Sequence, residues 1–354
     1  MYNKPGVNAM VIKTLFSRVS TALTLAFSAG CMSINMPGKS YSGPIEFSAK
    51  EKALSKELKR DVAILADEIG ERNLEHYDNL CKSAEFIKNS FKEAGYKVRV
   101  QEYKAPKGIL SRSWKDTGYE DQVYCNIEAE AKGAALPEEI IIVGAHYDSA
   151  PVPGCRAAND NASGVAATLA LARHFAAKKL KRTIRFVAFA NEEPPFFWTK
   201  AMGSYVYAKD CKEKKEKIVA MLTPETIGYY SSEEKSQKYP FPVGLLYPSK
   251  GDFIAFVGNS ASSDLVKKCV KTFRETTNFP SQGGALPIII PRIGASDQWS
   301  FWQMGYPGLM VTDTAPYRYP FYHTSSDDPD KLDYDSMAKV VFGLEQIIGT
   351  LANE

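Results

Sequence analysis

The segment from residue 140 to residue 193 limits the possible folds more than any other part of this chain. Two apolar runs with the composition of buried strands, Ile140–Ala145 and Ile184–Ala190, enclose a stretch with the apolar periodicity of a helix. A strand, a helix and a second strand in this order predict a βαβ unit in a parallel sheet. Because the alternation continues along the chain, we expect one α/β domain with a mixed, mostly parallel sheet flanked by helices.

The same periodicities predict the other elements. Strands are expected at residues 97–103, 122–131, 139–145, 183–190, 218–222, 252–257, 286–290 and 308–312. Helices are expected over 48–69, 74–94, 162–177, 201–211, 260–277, 296–304 and 335–351. The chain has 354 residues, of which 44% are apolar, so it is long enough to bury a large core.

Charge and composition argue against one class of partner. The formal net charge is only +3, and the basic residues form no stripe with interleaved aromatic residues. Nucleic acid is therefore not an expected partner. The sequence leaves the oligomeric state open.

The first 31 residues have the organisation of an export signal. Lys13 and Arg18 precede a short apolar run, Val19–Phe27, and small residues then lead to Cys31. The run is too short to span a bilayer, so a cleaved signal is a better interpretation than a transmembrane helix. A cleavage site that ends in cysteine resembles that of bacterial lipoproteins, in which this cysteine is acylated and becomes the mature N-terminus. A plain secretory signal that is cleaved nearby is the alternative.

This interpretation divides the chain into three parts. Residues 1–31 form the signal, residues 32–46 form a flexible tether, and residues 47–354 form a single domain. We expect an exported protein on the periplasmic or cell-surface side, in contact with a membrane only through a lipid anchor at Cys31.

The cysteines after the signal do not indicate a structural metal site. They are odd in number and show no CxxC spacing: Cys81, Cys125, Cys155, Cys211 and Cys269. Export permits disulfides, and Cys155 could pair with Cys211 because both flank the segments that carry the candidate site.

Residue types that bind metals follow each of the two apolar runs. His146 and Asp148 come after the first run, and Glu192 and Glu193 come after the second. Asp160 begins a tight Asp-Asn-Ala-Ser-Gly turn into the helix between them. Because the carboxyl ends of neighbouring parallel strands meet at one edge of a sheet, these side chains can converge although they are far apart in the chain.

Each of these residues also has a plainer interpretation. Asp160 alone could be a helix N-cap, and His146 alone could be a structural hydrogen-bonding residue, although Asp148 is well placed to orient a metal-bound imidazole. The adjacent carboxylates of Glu192 and Glu193 could form a surface acidic pair. In a cleft they would repel each other unless a divalent cation lay between them. One could then bind the cation while the other takes a proton from water.

Two further residues complete a set for metal binding. Glu225 follows another apolar run, and His323 lies in a turn-rich segment near the end of the domain. Together with the earlier residues they supply nitrogen and oxygen ligands for two zinc ions, with one bridging carboxylate and a bridging water. His76 and His174 lie in helical patterns without carboxylate companions, and we expect them to be structural.

The order and spacing of these motifs resemble those of the co-catalytic di-zinc aminopeptidases. These are the metallopeptidases related to bacterial leucyl aminopeptidase, Streptomyces aminopeptidase and glutamate carboxypeptidase. The resemblance covers roughly residues 121–351 and rests on the motifs HYDS, NDNASG, FANEE, PETIGY, SDQWSFW and YHTSSDDPDKL. It implies a zinc exopeptidase (phosphorylase/hydrolase-like) fold with an eight-stranded mixed sheet, and two Zn²⁺ per chain.

The resemblance also implies a role for each residue of the site. One zinc would be bound by His146, Asp160 and Glu225, and the other by Asp160, Glu193 and His323. Glu192 would be the general base, Asp148 would orient His146, and Tyr322 would stabilise the oxyanion. Glu225 stands where many members have Asp, so its longer side chain alters the geometry around the substrate amine. The expected substrates are peptides with a free N-terminus.

Three alternatives stay open at the level of sequence. A carboxypeptidase or dipeptidase would need a cation for the substrate carboxylate, and Arg292 and Arg318 are candidates. A glutaminyl cyclase-like acyltransferase with a single zinc would be favoured if the first histidine or the Asn-Ala-Ser-Gly turn were missing, and both are present. A non-catalytic surface binding module would be favoured by a lost ligand or base. Aminopeptidase activity remains the first expectation.

Overall fold

The computed structural model of the chain describes residues 34–110, 118–241 and 243–354. The predicted export signal, including Cys31, lies outside the described residues. None of the helices in the described part of the chain combines the length and the apolar character that crossing a bilayer requires.

The core of the protein is a twisted sheet whose eight strands lie in the order β1-β2-β4-β3-β5-β8-β6-β7. The strands are β1 Val98–Tyr103, β2 Tyr124–Ala131, β3 Leu136–His146, β4 Arg182–Phe189, β5 Lys217–Glu225, β6 Ile254–Asn259, β7 Ser281–Leu286 and β8 Gly308–Thr312. The four central strands, β4, β3, β5 and β8, are parallel to one another. At one side β1 and β2 add antiparallel strands, and at the other β6 is antiparallel to β8 and parallel to β7. The predicted mixed α/β sheet is confirmed.

Helices flank the sheet among the described residues. They are α1 Ala49–Ala63, α2 Tyr77–Glu93, α3 Gly164–Phe175, α4 Gly203–Glu213, α5 Ser263–Thr276, α6 Gln298–Gln303, α7 Ala315–Arg318 and α8 Tyr334–Asn353. The main apolar core is formed by helices α1, α2, α3, α5 and α8 with the sheet, and a smaller cluster lies under α4 and α6. The short helix α7 was not predicted from the sequence.

The strand predicted at residues 286–290 is wrong in position. The edge strand β7 lies earlier, at Ser281–Leu286, and Ile288 and Ile289 are exposed in the loop that follows it. The Ile-rich run has high strand propensity, but Pro287 interrupts it, and proline cannot donate to a ladder. Two glycines lower the strand propensity of the true strand. They are used for close packing, since a Cβ on Gly283 would lie 2.7 Å from a methyl group of Val270.

Part of the segment predicted as a tether contacts the domain. Met36 is buried against Gly283 of β7, and the guanidinium of Arg274 donates hydrogen bonds to the carbonyls of Pro37 and Gly38. The backbone amide of Ser281 donates to the hydroxyl of Ser40. Residues 36–40 therefore lie along edge strand β7.

The suggested pairing of Cys155 with Cys211 is wrong. Both residues are buried, and both are free thiols, as are the other three cysteines of the described residues. Burial raises the pKa of the Cys155 thiol to about 12, so this group stays protonated near neutral pH.

Candidate metal centre

Two groups of potential metal ligands lie at the carboxyl ends of the central strands. The first group consists of His146, Asp160 and Glu225, and the second group of Asp160, Glu193 and His323. Within each group the ligand atoms all lie within 4.8 Å of one another. The structure therefore brings together all five residues that the sequence suggested as ligands, with Asp160 shared.

The ligand atoms converge on common centres and do not bond to one another. Nε2 of His146 lies 3.3 Å from Oδ1 of Asp160 and 3.2 Å from Oε2 of Glu225. Nε2 of His323 lies 3.0 Å from Oδ2 of Asp160 and 3.1 Å from Oε1 of Glu193. Each carboxylate oxygen of Asp160 thus faces a different group, as a bridging ligand must.

These distances fit zinc. Ligands about 2.0–2.1 Å from a tetrahedral zinc ion lie roughly 3.3 Å from one another. Nε2 of His146, Nε2 of His323 and Oε1 of Glu193 are buried and have no partner with hydrogen-bond geometry among the described residues. Such atoms are costly to bury unless something neutralises them, and a cation at each centre would do so.

His146 is placed by the end of strand β3. Its side chain is fully buried, and its Nδ1 lies 3.2 Å from the backbone carbonyl of Asp148 and 3.5 Å from the carboxylate of the same residue. Burial alone would lower the pKa of His146, but the carboxylates of Glu225 and Glu192 outweigh it and raise this pKa well above its usual range. A contact at Nδ1 orients the ring and leaves Nε2 for a metal.

The carboxylate of Asp148 has a second task that the sequence did not indicate. Its two oxygens accept hydrogen bonds from the backbone amides of Glu192 and Glu193, at 3.1 and 2.9 Å. Asp148 therefore connects the loop after β3 to the loop after β4. The connection fixes the Glu192–Glu193 backbone relative to His146.

Asp160 lies in the turn Ala158–Ser163 before helix α3 and does not cap that helix. The side chain of Asn161 takes this role, since its Oδ1 accepts from the amide of Gly164 at 3.0 Å. Gly164 permits a close approach, because a Cβ there would lie 2.2 Å from the carbonyl of Pro224 in β5. The turn and the end of β5, which carries Glu225, are therefore held together.

Glu225 is supported by two hydrogen bonds to its own carboxylate. Its Oε2 accepts from the hydroxyl of Ser296 at 2.7 Å and from Nδ2 of Asn161 at 3.2 Å. Burial raises the pKa of Glu225. Ser296 stands in the SDQWSFW motif, but nothing local in the sequence indicated that it would contact a ligand.

Buried carboxylates outnumber the histidines of the centre. Burial and the nearby carboxylate of Asp160 raise the pKa of Glu193 to about 7, and burial with Glu193 and Glu225 raises the pKa of Glu192 well above its usual range. Burial also opposes ionisation of Asp160, but contacts with both histidines lower its pKa. The excess of acidic groups in a largely buried site is the electrostatic condition that favours divalent cations.

His323 and Tyr322 form the outer wall of the centre. The two rings stack with centroids 3.9 Å apart, and the side chain of His323 is 29% exposed. Burial opposes the charged form of His323, but Glu193 and Asp160 raise its pKa to about 11. Burial and the same two carboxylates raise the pKa of Tyr322 well above 10, so its hydroxyl stays a donor.

Two buried aspartates lie close to the centre without being ligands, and sequence reasoning missed both. Asp327 accepts from the backbone amides of Asn159 and Asp160, at 2.8 and 3.1 Å, and from the hydroxyl of Tyr319. Asp297 is fully buried, and neither of its oxygens has a hydrogen-bond partner among the described residues. Burial raises the pKa of Asp327 to about 6 and that of Asp297 to about 7.

The other two histidines do not join either group, but the expectation that they lack carboxylate companions is wrong. Nδ1 of His174 lies 3.3 Å from Glu345 of α8, and Nδ1 of His76 lies 3.6 Å from Glu71. For His174 the partner comes from a distant helix, and no local pattern could have indicated it.

A cavity opens beside the first group. Its volume is about 110 Å³, and Glu225 and Tyr322 are among the residues that line it. Most of its wall is apolar or aromatic, including Tyr239, Val243, Tyr247, Phe253, Ile293 and Met310. A substrate bound at the centre could place an apolar side chain here.

The two candidate arginines differ in availability. Arg318 is buried, and it donates from Nε to Gln237 at 2.7 Å and from Nη1 to the carbonyl of Phe253 at 2.7 Å. Arg292 is exposed and lines the cavity. Of the two, Arg292 is therefore the one that can reach a substrate.

Comparisons with known proteins agree with this geometry. The model of peptidase family M28 matches residues 126–347. The uncharacterised protein YfbL of Escherichia coli is 37% identical over 307 residues, which cover 84% of this chain and 88% of YfbL.

Two solved structures illustrate the shared fold. A zinc aminopeptidase from Bacillus subtilis superposes with a TM-score of 0.67 at 17% identity, covering 88% of this chain and 97% of the other. A glutaminyl cyclase from Fimbriiglobus ruber superposes with a TM-score of 0.61 at 21% identity, covering 87% and 99%. The architecture is therefore common to a peptidase and to an acyltransferase.

Proposed function

The chain belongs to peptidase family M28, and from that premise we propose that it is an aminopeptidase that removes N-terminal residues from peptides with the help of two zinc ions. Membership makes the chain a metallopeptidase. Beyond that membership, we propose the count of two zinc ions, the roles of the residues and the preference for a free N-terminus. The observation that carries it is Asp160, whose two oxygens each face a different set of ligands.

Two zinc ions bound by the first and second groups would polarise the scissile carbonyl and lower the pKa of a water molecule. Glu192 belongs to neither group, and its Oε2 lies 3.8 Å from Nε2 of His146. This carboxylate is free to accept a proton from the attacking water and to deliver it to the leaving amine. Asp148, through the amide of Glu192, holds the base in place.

Tyr322 is the candidate donor to the oxyanion. Its phenol is held protonated by burial beside carboxylates, and its ring is fixed by stacking on His323. A fixed donor that is directed at the developing charge lowers the barrier without reorganisation during the reaction.

The cavity supports action at the end of a chain. Because Glu225 lines the cavity and most of its wall is apolar, the cavity can receive one side chain next to the centre. Glu225 also offers a carboxylate near a substrate amine. Large apolar N-terminal residues are therefore the favoured substrates. A carboxypeptidase or dipeptidase would instead use Arg292, which lines the same cavity.

A glutaminyl cyclase shares the fold, so the fold does not separate the two activities. Hydrolysis is supported by the presence of every residue of both ligand groups and of the candidate base, Glu192, beside them. The same completeness argues against a binding module without activity, since neither a ligand nor the base has been lost.

The experiment compares wild type with Glu192→Gln on aminoacyl, N-blocked and N-terminal glutaminyl peptides, with zinc counted by mass spectrometry of the metal. We expect two zinc ions in both proteins and cleavage of free N-termini only. The variant should lose activity by a factor of about 10²–10⁴, the usual contribution of a general base. Cyclisation of glutaminyl peptides, or cleavage of N-blocked peptides from the C-terminus, would overturn the aminopeptidase assignment.

We also propose that the protein is exported and attached to a membrane through an acylated Cys31. The support is the order of basic, apolar and small residues before this cysteine. The mass of the mature N-terminus tests the proposal. An N-terminus other than a lipid-modified Cys31 would contradict it.

A further inference from the structure

Exposed apolar side chains are concentrated in two neighbouring loops. Seven large hydrophobic residues of the described chain are exposed, and five of them lie in the loops at 239–249 and 287–292. We call these five the apolar patch: Phe241, Leu245, Leu246, Ile288 and Ile289. Phe241 is 83% exposed and Ile289 is 84% exposed. Single exposed hydrophobic residues are common, whereas a patch of them marks a site that contacts a protein or a membrane.

The two loops are parts of one surface. Pro240 and Val243 of the first loop, and Ile290 and Pro291 of the second, line the same cavity. The hydroxyl of Tyr247 donates to the carbonyl of Gly283 at 2.9 Å, which attaches the first loop to edge strand β7. The side chains of the patch point away from this cavity, because they are exposed while their neighbours line it.

The charge pattern of the loops is typical of segments that contact lipid headgroups. Residues 239–249 and 279–291 contain no charged residue at all. Basic residues stand next to them, with Lys238 and Lys250 at the ends of the first stretch and Arg292 at the end of the second. Of these, Lys250 is paired with Glu234 at 3.1 Å. In such loops the exposed apolar side chains insert between the lipid headgroups and the acyl chains, and the basic residues beside them are attracted to anionic lipids.

The path of the N-terminal segment brings the membrane attachment to the same side. Ser40 bonds to Ser281 at the start of β7, and Met36 contacts Gly283 further along the same strand. From Ser40 to Met36 the chain therefore runs along β7 towards the loop that carries Ile288. In the sequence, Cys31 is only three residues before Ile34, the first described residue. A lipid on Cys31 would therefore be tethered beside β7.

We propose that the apolar patch inserts into the lipid bilayer to which Cys31 is attached. The inference rests on the proposed acylation of Cys31 and extends it, since the patch would give the anchored domain one fixed orientation. In that orientation the cavity covered by the two loops lies next to the lipid surface. A second copy of the chain and an apolar peptide are the competing occupants of the patch.

The test uses tryptophan reporters in the full chain, mixed with vesicles of phosphatidylcholine and phosphatidylglycerol with or without brominated acyl chains. Ile289→Trp and Leu245→Trp place reporters in the two loops. Val100→Trp is the matched control, because Val100 is also an exposed hydrophobic, 36% accessible, but lies on the opposite edge strand β1. Signal from the native tryptophans is subtracted with the unsubstituted protein.

We expect brominated lipid to quench both loop reporters at least twofold and to leave the control unchanged. Equal quenching at all three positions, or none, would overturn the inference. Loop emission that shifts with protein concentration in the absence of lipid would assign the patch to a second copy instead. Hydrolysis of a soluble aminoacyl substrate by the same samples tests the peptidase proposal separately, so either proposal can fail without the other.

Discussion

The first group and the second group share Asp160 but differ in how the protein supports them. In the first group the side chain of His146 is fully buried, and Glu225 accepts two hydrogen bonds, from Ser296 and Asn161. In the second group His323 is 29% exposed and lies on a loop, where its ring contact is the stack on Tyr322. The first group therefore lies among buried side chains, while the second group is closed towards solvent by His323 and Tyr322.

This difference predicts that the two groups bind zinc with different affinities and exchange it at different rates. Ligands that are fixed by surrounding hydrogen bonds lose little entropy on binding a metal, so the first group should hold zinc more tightly and exchange it more slowly. A partly exposed ligand on a loop allows faster exchange and easier access for substrate. The experiments below test this difference between the two groups.

The largest expected difference is between His146→Ala and His323→Ala. Removing His146 takes away the histidine that faces the buried carboxylates of Glu225 and Asp160, and we expect the unfolding free energy to fall by about 3 kcal/mol or more. Removing the more exposed His323 should cost about 1 kcal/mol. Urea unfolding with zinc present measures both. Equal losses would show that the two groups are equally enclosed.

Chelation should empty the two groups at different rates. We expect two phases of zinc release, at least tenfold apart, with the second group emptied first because His323 is reachable from solvent. A chelating indicator in a stopped-flow instrument follows the release. His323→Ala serves as the control and should retain only the slow phase. Retention of the fast phase in that variant would reverse the assignment.

Asp327 should affect both groups alike, because it holds the backbone of the shared Asp160. Burial raises the pKa of Asp327 to about 6 from an ordinary value near 3.8. The folded protein therefore binds this proton more tightly than the unfolded chain. The resulting stabilisation of the folded, zinc-free protein is about 3 kcal/mol. It is complete below about pH 4 and is lost as the pH rises through 6.

In Asp327→Asn this part of the pH dependence should disappear, and zinc affinity should fall at both groups. Urea unfolding of the zinc-free proteins between pH 4 and pH 7 gives the two slopes. Identical slopes for variant and wild type would refute the role of Asp327. Zinc loss from only one group would show that Asp327 positions Asp160 for that group alone.

The smallest effect is expected for Ser296→Ala, which removes one hydrogen bond to Glu225. Losing such a partner typically weakens metal binding about tenfold or more, and here only the first group should respond. Competition titration with a zinc indicator measures each affinity. Ser300→Ala is the matched control, since Ser300 is also buried but bonds to Ser204 and touches no ligand. A similar change in both variants would mean that packing, and not the hydrogen bond, matters.

Residue type and spacing were enough to identify the five candidate ligands that the structure brings together. His146, Glu193 and Glu225 each follow an apolar run, and parallel strands present their carboxyl ends at one edge, so convergence follows from topology. The family assignment rests on the same local motifs. The position of β7 could not be obtained in this way, because propensity favoured the Ile-rich run while the true strand uses glycines for contacts with α5 and Met36.

The support of the centre follows only from the tertiary structure. Ser296 meets Glu225, and Asp327 meets Asp160, through hydrogen bonds between segments that are 71 and 167 residues apart. A hydrogen bond depends on distances of a few tenths of an ångström, which local sequence patterns do not encode. The chain's pattern of apolar runs and metal-binding residues thus determines which atoms are available as ligands. The packing of distant loops decides which of the two groups is enclosed and which is open.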